Sequence, residues 1–203
     1  MTVTLDQAAA IVSDGGIVLY PTRTLWGIGG DARRAGIIER VQALKGRGAQ
    51  SPFLVLVRDL GVASELAPAM PPAARRLAGA LWPGELTLLL PAGDAVPRAL
   101  VGPDGLVGLR LPTHPAPEAL VRAGAWLVST SANLTGSPAP VTLDDVPDSI
   151  RRGVDAVIDV PPPPEGVPST VVATFADGRV LLIRQGAVPA DTIWTLLEET
   201  GHG

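Results

Sequence analysis

The chain has 203 residues, 46% hydrophobic and 18% charged, enough for one domain with a sizeable buried core. It contains no Cys and two His (His114 and His202), which excludes disulfides, thiolate chemistry, Cys-ligated zinc and a His cluster. A net charge of -4 argues against holding nucleic acid by bulk electrostatics. With neither a basic leader nor a long apolar run, the expectation is a single domain over residues 1–203 in the cytoplasm.

Thr4-Leu-Asp-Gln7 has the form of a capping box and predicts a first helix to about Ser13, broken by Asp14-Gly-Gly16. Residues 17–20 read as a buried strand stopped by Pro21, which cannot donate a ladder hydrogen bond. Hydroxyls at Thr22 and Thr24 follow, then a glycine-rich stretch (Gly27, Gly29, Gly30) that reads as a loop. A helical pattern through Ile37, Ile38, Val41 and Leu44 ends on Lys45-Gly46-Arg47, with Gly46 and Gly48 where a helix end favours the left-handed conformation. Of the sixteen Lys and Arg, Lys45 is the one Lys. It is either a cation favourable at a helix C-terminus or a rotatable point charge kept for an anion.

Pro52 opens a second strand over 53–57. Pro71-Pro72 starts an amphipathic helix to Leu81, closed by Trp82-Pro83-Gly84, and residues 86–90 form a third strand with Thr87 as its one polar group. Residues 107–111 are a strand containing Arg110, a charge that must meet either a carboxylate of the protein or a bound anion. Residues 115–122 read as a helix and 126–128 as a strand. Residues 129–136, Ser-Thr-Ser-Ala-Asn-Leu-Thr-Gly, then form either a turn or a ligand loop. Residues 161–164 are too proline-rich for regular structure. Residues 170–175 and 179–183 flank Ala-Asp-Gly178 as a hairpin expected to join the same sheet, and 191–199 reads as a closing helix. The alternation predicts an α/β fold with a twisted mixed sheet and flanking helices.

The glycines do not spell a dinucleotide fingerprint, and no Walker-type loop or Gly-x-Ser-x-Gly elbow exists. His114 has no evident Ser or Asp partner, so covalent catalysis is unsupported. Positioning and charge stabilisation by Arg, Lys and hydroxyls remain, the means by which phosphoryl and nucleotidyl groups are transferred.

Tyr-Pro-Thr-x-Thr-x-x-Gly (20–27), Lys-x-Arg (45–47), Trp-Pro-Gly with a following Thr (82–87), and Arg-x-Pro-x-His-Pro (110–115) occur in order. Ser-Ala-Asn-x-Thr-Gly (131–136), Pro-Ser-Thr (168–170) and Ile-Arg-x-Gly (183–186) follow. This series resembles the YrdC-type L-threonylcarbamoyladenylate synthases over roughly residues 5–190. The resemblance implies a twisted α/β sheet around a concave basic cavity. It implies synthesis of threonylcarbamoyl-adenylate and pyrophosphate from L-threonine, bicarbonate or carbon dioxide, and ATP with Mg2+. The product would feed modification of tRNA adenosine 37 by a downstream threonylcarbamoyl transferase complex, with possible tRNA contact.

By that resemblance Lys45 and Arg47 face the triphosphate as the catalytic cations. Ser51, Thr87, Ser131, Asn133 and Arg184 match ATP-contacting positions, and Thr22, Arg110, Ser129 and Ser169 surround threonine; no protein metal ligand is assigned. The chain departs from the family pattern at Arg23, Gly48, Leu56 and Pro168. Two alternatives stand beside the synthase: a double-stranded RNA or tRNA-binding paralogue without synthase activity, and a carbamoyl-transfer domain like that of hydrogenase maturation.

Overall fold

The computed structural model describes residues 1–46 and 53–198. Helix α1 (Leu5–Ser13) starts on the predicted capping box: Gln7 N–H donates to the Thr4 hydroxyl (3.3 Å) and Thr4 N–H to the Gln7 side chain (3.0 Å). Strands β1 (Val18–Pro21) and β2 (Trp26–Asp31) form an antiparallel hairpin. Helix α2 (Ile37–Leu44) follows, with Gly46 left-handed at its end (φ 64°), as its sequence predicts. Then come β3 (Leu54–Leu56), α3 (Leu60–Leu66), α4 (Pro72–Leu81), β4 (Leu86–Pro91) and β5 (Leu106–Arg110). Helix α5 (Pro115–Arg122), β6 (Leu127–Ser131), α6 (Asp148–Gly153), β7 (Ala156–Val157), β8 (Thr170–Thr174), β9 (Val180–Arg184) and α7 (Ala190–Glu198) complete the described chain. No helix among the described residues is long and apolar enough to cross a membrane.

The strands make one mixed sheet in the order β7-β1-β2-β6-β3-β5-β4-β8-β9. Pairs β1/β7, β3/β5 and β4/β8 are parallel and the rest antiparallel. The hairpin β8–β9 joins this sheet through β4, as expected of a unit too small to stand alone.

Side-chain alternation explains where a site can form. Val55, Leu86, Leu88, Leu90, Val107, Leu109, Val128 and Val172 point to one face and build the main core with α2, α3, α4, α6 and α7. On the opposite face α1 and α5 cover only the β1 half, packing Ala8, Val12, Leu120 and Val121 on Val18, Tyr20 and Leu127. Thr87, Arg110 and Ser129 alternate onto this second face, where the sheet's other half lines a cleft rather than a core.

Two segments differ from expectation. Gly27, Gly29 and Gly30 lie not in a loop but in β2, a fully buried strand near the middle of the sheet. Two of them serve close approach: a Cβ on Gly29 would sit 1.8 Å from the Val128 carbonyl oxygen, and one on Gly30 2.7 Å from that of Gly16. Likewise Ser129, Thr130 and Ser131 extend β6 rather than leaving it, since their backbones pair with Gly29, Ile28 and Gly27. Helices α3 and α6 carry too little periodicity in seven and six residues to be read beforehand.

Residues 161–168 lack regular structure, as their prolines dictate, yet they are tied down. Glu165 N–H donates to the Arg23 carbonyl (2.8 Å) and Gly166 N–H to that of Thr24 (2.9 Å), beside an exposed Arg23–Glu165 ion pair. His114 caps α5 by accepting the Ala116 N–H at Nδ1 (3.2 Å), which leaves Nε2–H to donate to the Pro162 carbonyl (2.8 Å). The segment is thus a strap across the β1–β2 turn.

Gly29→Ala should cost about 3 kcal/mol or prevent folding, because the obstructing atom is backbone. Gly79→Ala, on an exposed turn of α4 with nothing within 4 Å, should add about 0.5–1 kcal/mol. Urea denaturation midpoints check both.

Burial holds the His114 pKa below 6.5, against a smaller opposing effect of the Pro162 hydrogen bond. The unfolded chain therefore binds that proton more readily. The contribution of His114 to stability should be fully present above pH 6.5 and be lost as pH falls below it. His114→Asn should flatten the decline below about pH 6.5 in denaturation series.

Candidate functional site

The cleft has a volume of about 420 Å³ and is walled by β2, β3, β4, β5, β6, β8 and the 22–25 turn. Its lining among the described residues includes Arg23, Arg110 and Arg184 and no carboxylate. The expected concave basic cavity is therefore present.

Arg110 ends β5 with a side chain 5% exposed. Its Nε donates to the Gly84 carbonyl (2.8 Å) and its NH2 to the Glu85 carboxylate, whose other oxygen accepts the Thr113 hydroxyl (3.0 Å). Both sequence alternatives hold together: Arg110 meets a protein carboxylate and also lines the cleft. Among the described residues NH1 has no hydrogen-bond partner. Burial lowers the Arg110 pKa, and the Glu85 charge acts against that shift.

Ser129 receives a hydrogen bond from the buried Tyr20 hydroxyl (2.7 Å). Desolvation raises the Tyr20 pKa, so this phenol stays neutral and donating, and the Ser129 proton is free for another acceptor. Ser169 is a second node. Its hydroxyl lies 3.0 Å from that of Thr87, and Arg184 donates to its carbonyl from Nε (3.1 Å) and NH2 (2.9 Å). The neighbouring Thr170 hydroxyl accepts from Gly186 (2.9 Å) and Val188 (3.0 Å) and donates to the Val188 carbonyl (2.6 Å). That binds the chain after Arg184 to the start of β8. Gly186 is required there, for a Cβ would meet the Pro168 carbonyl oxygen at 2.1 Å.

Thr22 also lines the cleft, but its hydroxyl is engaged in its own turn. It donates to the Leu25 carbonyl (2.7 Å) and accepts from Leu25 N–H (3.0 Å) and Thr24 N–H (3.2 Å). With its one proton so used, Thr24 is the donor in the 2.9 Å contact between the two hydroxyls.

Lys45 and Asn133 sit behind the wall. The Lys45 ammonium is fully buried and donates to the Ser131 carbonyl (2.5 Å) and Asn133 Oδ1 (3.2 Å). Asn133 is fixed in turn, receiving the Ser131 hydroxyl (2.5 Å) at Oδ1 and donating from Nδ2 to the Leu134 (3.0 Å) and Ser137 (2.7 Å) carbonyls. Thr135 ties the Lys45 carbonyl to the same loop through N–H and hydroxyl, both at 3.1 Å.

The structure thus gathers Thr22, Thr87, Arg110, Ser129, Ser131, Ser169 and Arg184 on one cleft, with Lys45 and Asn133 directly behind Ser131. Arg47 and Ser51 lie outside the described residues. Glu85, Tyr20, Thr24 and Thr113 are site residues that sequence reasoning did not assign. Glu85 had a signal, being the carboxylate beside the Trp-Pro-Gly turn when Arg110 demanded a partner. His114 lines the cleft too, but with both ring nitrogens engaged in α5 and the strap it is structural. Among the described residues no group of three or more His, Asp or Glu side chains gathers to hold a metal.

Comparison with known proteins places this geometry. Threonylcarbamoyl-AMP synthase of Bacillus subtilis is 34% identical over 192 residues, which cover 93% of this chain and 55% of that protein. The crystal structure of Pyrococcus abyssi Sua5 complexed with L-threonine matches with TM-score 0.88 at 30% identity, covering 96% of this chain and 57% of that one. E. coli YciO matches with TM-score 0.82 at 27% identity, covering 93% and 92%. The chain therefore spans little more than half the length of the first two and nearly all of the third. A family model described as "Telomere recombination" (Sua5/YciO/YrdC) matches residues 10–186, and the chain belongs to that family.

Proposed function

We propose that this chain is an L-threonylcarbamoyladenylate synthase acting in the cytoplasm. The observation that carries the reading is one cleft whose apolar lining is set with three Arg side chains and several hydroxyls and, among the described residues, with no carboxylate and with Arg110 NH1 lacking a hydrogen-bond partner. Such a lining suits two anions, an amino-acid carboxylate and a triphosphate. The names of the relatives, and the threonine bound to P. abyssi Sua5, support the same substrates.

In the proposed reaction the neutral amine of threonine attacks carbon dioxide, forming an N–C bond and a carbamate as a proton leaves to solvent. A carbamate oxygen then attacks the α-phosphorus of ATP, and the bond to pyrophosphate breaks as the new O–P bond forms. Mg2+ arrives on the triphosphate as part of the substrate, its usual mode of binding.

Arg110 takes the threonine carboxylate through NH1, because its Nε and NH2 are engaged by Gly84 and Glu85. Ser129 Oγ is assigned to accept an N–H of the threonine amine, which leaves the amine lone pair for carbon dioxide, and the hydroxyl of Ser169 is assigned to the threonine side chain. Thr22 then acts through the shape of its turn. Thr87, Ser131, Asn133 and Arg184 are assigned to ATP, with Arg47 and Ser51 on the triphosphate side. Lys45 engages the leaving pyrophosphate by turning one of its three N–H donors outward past Ser131, a movement that suits a compact ammonium better than a planar guanidinium. The product is proposed to pass to a threonylcarbamoyl transferase complex acting on tRNA.

Pyrophosphate release from MgATP should require both L-threonine and bicarbonate. Release dependent on neither would indicate a different nucleotide hydrolase, and no release from folded protein would favour the RNA-binding reading. Lys45→Met should lower kcat by about 100-fold or more with the fold retained. Arg110→Lys, chosen because Arg110→Ala would strand Glu85 as a buried charge, should raise the threonine KM about tenfold.

A further inference from the structure

We propose that Glu85 sets the charge of the amino-acid subsite, acting as a built-in competitor that weakens carboxylate binding at Arg110. This inference rests on the assignment of the threonine carboxylate to Arg110. Glu85 is a positioning residue: it lies behind the guanidinium and touches substrate only through it.

The geometry makes the pair rigid and dry. Arg110 and Glu85 side chains are 5% and 10% exposed. Each Glu85 oxygen has its own donor, Arg110 NH2 and the Thr113 hydroxyl, and the Gly84 carbonyl holds Nε beside them. The turn bearing Gly84 and Glu85 is itself fixed to the chain after β5, because Gly84 N–H donates to the Leu111 carbonyl (3.0 Å). Gly84 is required in that turn, for a Cβ there would meet the Leu81 carbonyl oxygen at 2.3 Å.

A carboxylate arriving at NH1 therefore meets a cation whose charge is already balanced. With Arg23, Arg110 and Arg184 on the lining and no carboxylate there among the described residues, Glu85 is the negative charge that moderates the cleft at this point. Two carboxylates on one guanidinium repel each other across a poorly screened interior, so Glu85 lowers affinity for threonine while stabilising the empty site. Removing its charge but keeping its shape should reverse both effects. The empty protein would hold an uncompensated buried cation, and the ligand would supply the missing counterion.

The test is calorimetric titration of the wild-type chain and Glu85→Gln with L-threonine and with L-threonine amide, which keeps the amine and hydroxyl but lacks the negative charge. The variant should melt at a lower temperature without ligand and bind threonine about tenfold more tightly. Its affinity for the amide should stay within about twofold of wild type, so the preference for acid over amide rises. A purely structural role for Glu85 would move both ligands together. Glu85→Met, also uncharged and of similar length, should behave in the same way.

An unchanged or weaker preference for the acid in a folded variant overturns the proposal. So does failure of both variants to fold, which would make Glu85 a structural counterion. If the wild-type chain binds neither ligand, the threonine assignment itself fails. If it binds threonine but the preference does not respond to Glu85, only this inference fails.

Discussion

Arg110 is a permanent positive charge almost fully enclosed at the end of a central strand, and much of the surrounding structure answers that constraint. An unpaired guanidinium there would be too costly to keep, so two of its nitrogens are satisfied within the protein. Both partners come from one turn, Gly84 and Glu85, whose position depends on the end of α4 and on the backbone bond to Leu111. Among the described residues NH1 has no hydrogen-bond partner, and Arg110 lines the cleft. The same enclosure that makes the charge expensive makes it effective toward an anionic ligand, since little water screens it.

The cleft exists because the sheet is covered unequally. Helices α1 and α5 bury one half of its second face, and the other half carries alternate residues too polar for a core: Thr87, Arg110 and Ser129. The closeness of β2 to β6, allowed by Gly29, brings Tyr20 within hydrogen-bonding distance of Ser129 and fixes that hydroxyl. Further along β6, Ser131 bears the cleft on its side chain and Lys45 on its carbonyl, which joins the wall to the cation behind it. The strap over residues 161–168 ties the 22–25 turn to the chain just before Ser169, so the two hydroxyl-bearing sides of the cleft are mechanically linked.

Legibility in the sequence followed the range of the interaction responsible. The capping box at Thr4, the helix from Pro115, the left-handed Gly46 and the hairpin around Gly178 are decided within a few residues, and each was readable. Strand β2 was not, because its glycines look like a loop until the Val128 carbonyl is seen beside Gly29. For the site, the demand of Arg110 for a counterion was readable, but its partner lies twenty-five residues away and Glu85 went unassigned. The resemblance sets Thr22 beside threonine; its hydroxyl is engaged in its own turn, the outcome that local geometry favours for a threonine after a strand. The resemblance sets Lys45 toward the triphosphate, but nothing in the sequence shows that its ammonium lies behind Ser131, a position that only the β6 register determines.

The most direct measurement is a crystal structure of this chain with L-threonine and a non-hydrolysable ATP analogue bound with Mg2+. The threonine carboxylate should lie about 3 Å from Arg110 NH1, with Glu85 still on NH2, the amine beside Ser129, and the phosphates on the Ser131 and Lys45 side. Threonine bound away from Arg110, or a carboxylate that displaces Glu85 from the guanidinium, would contradict this arrangement.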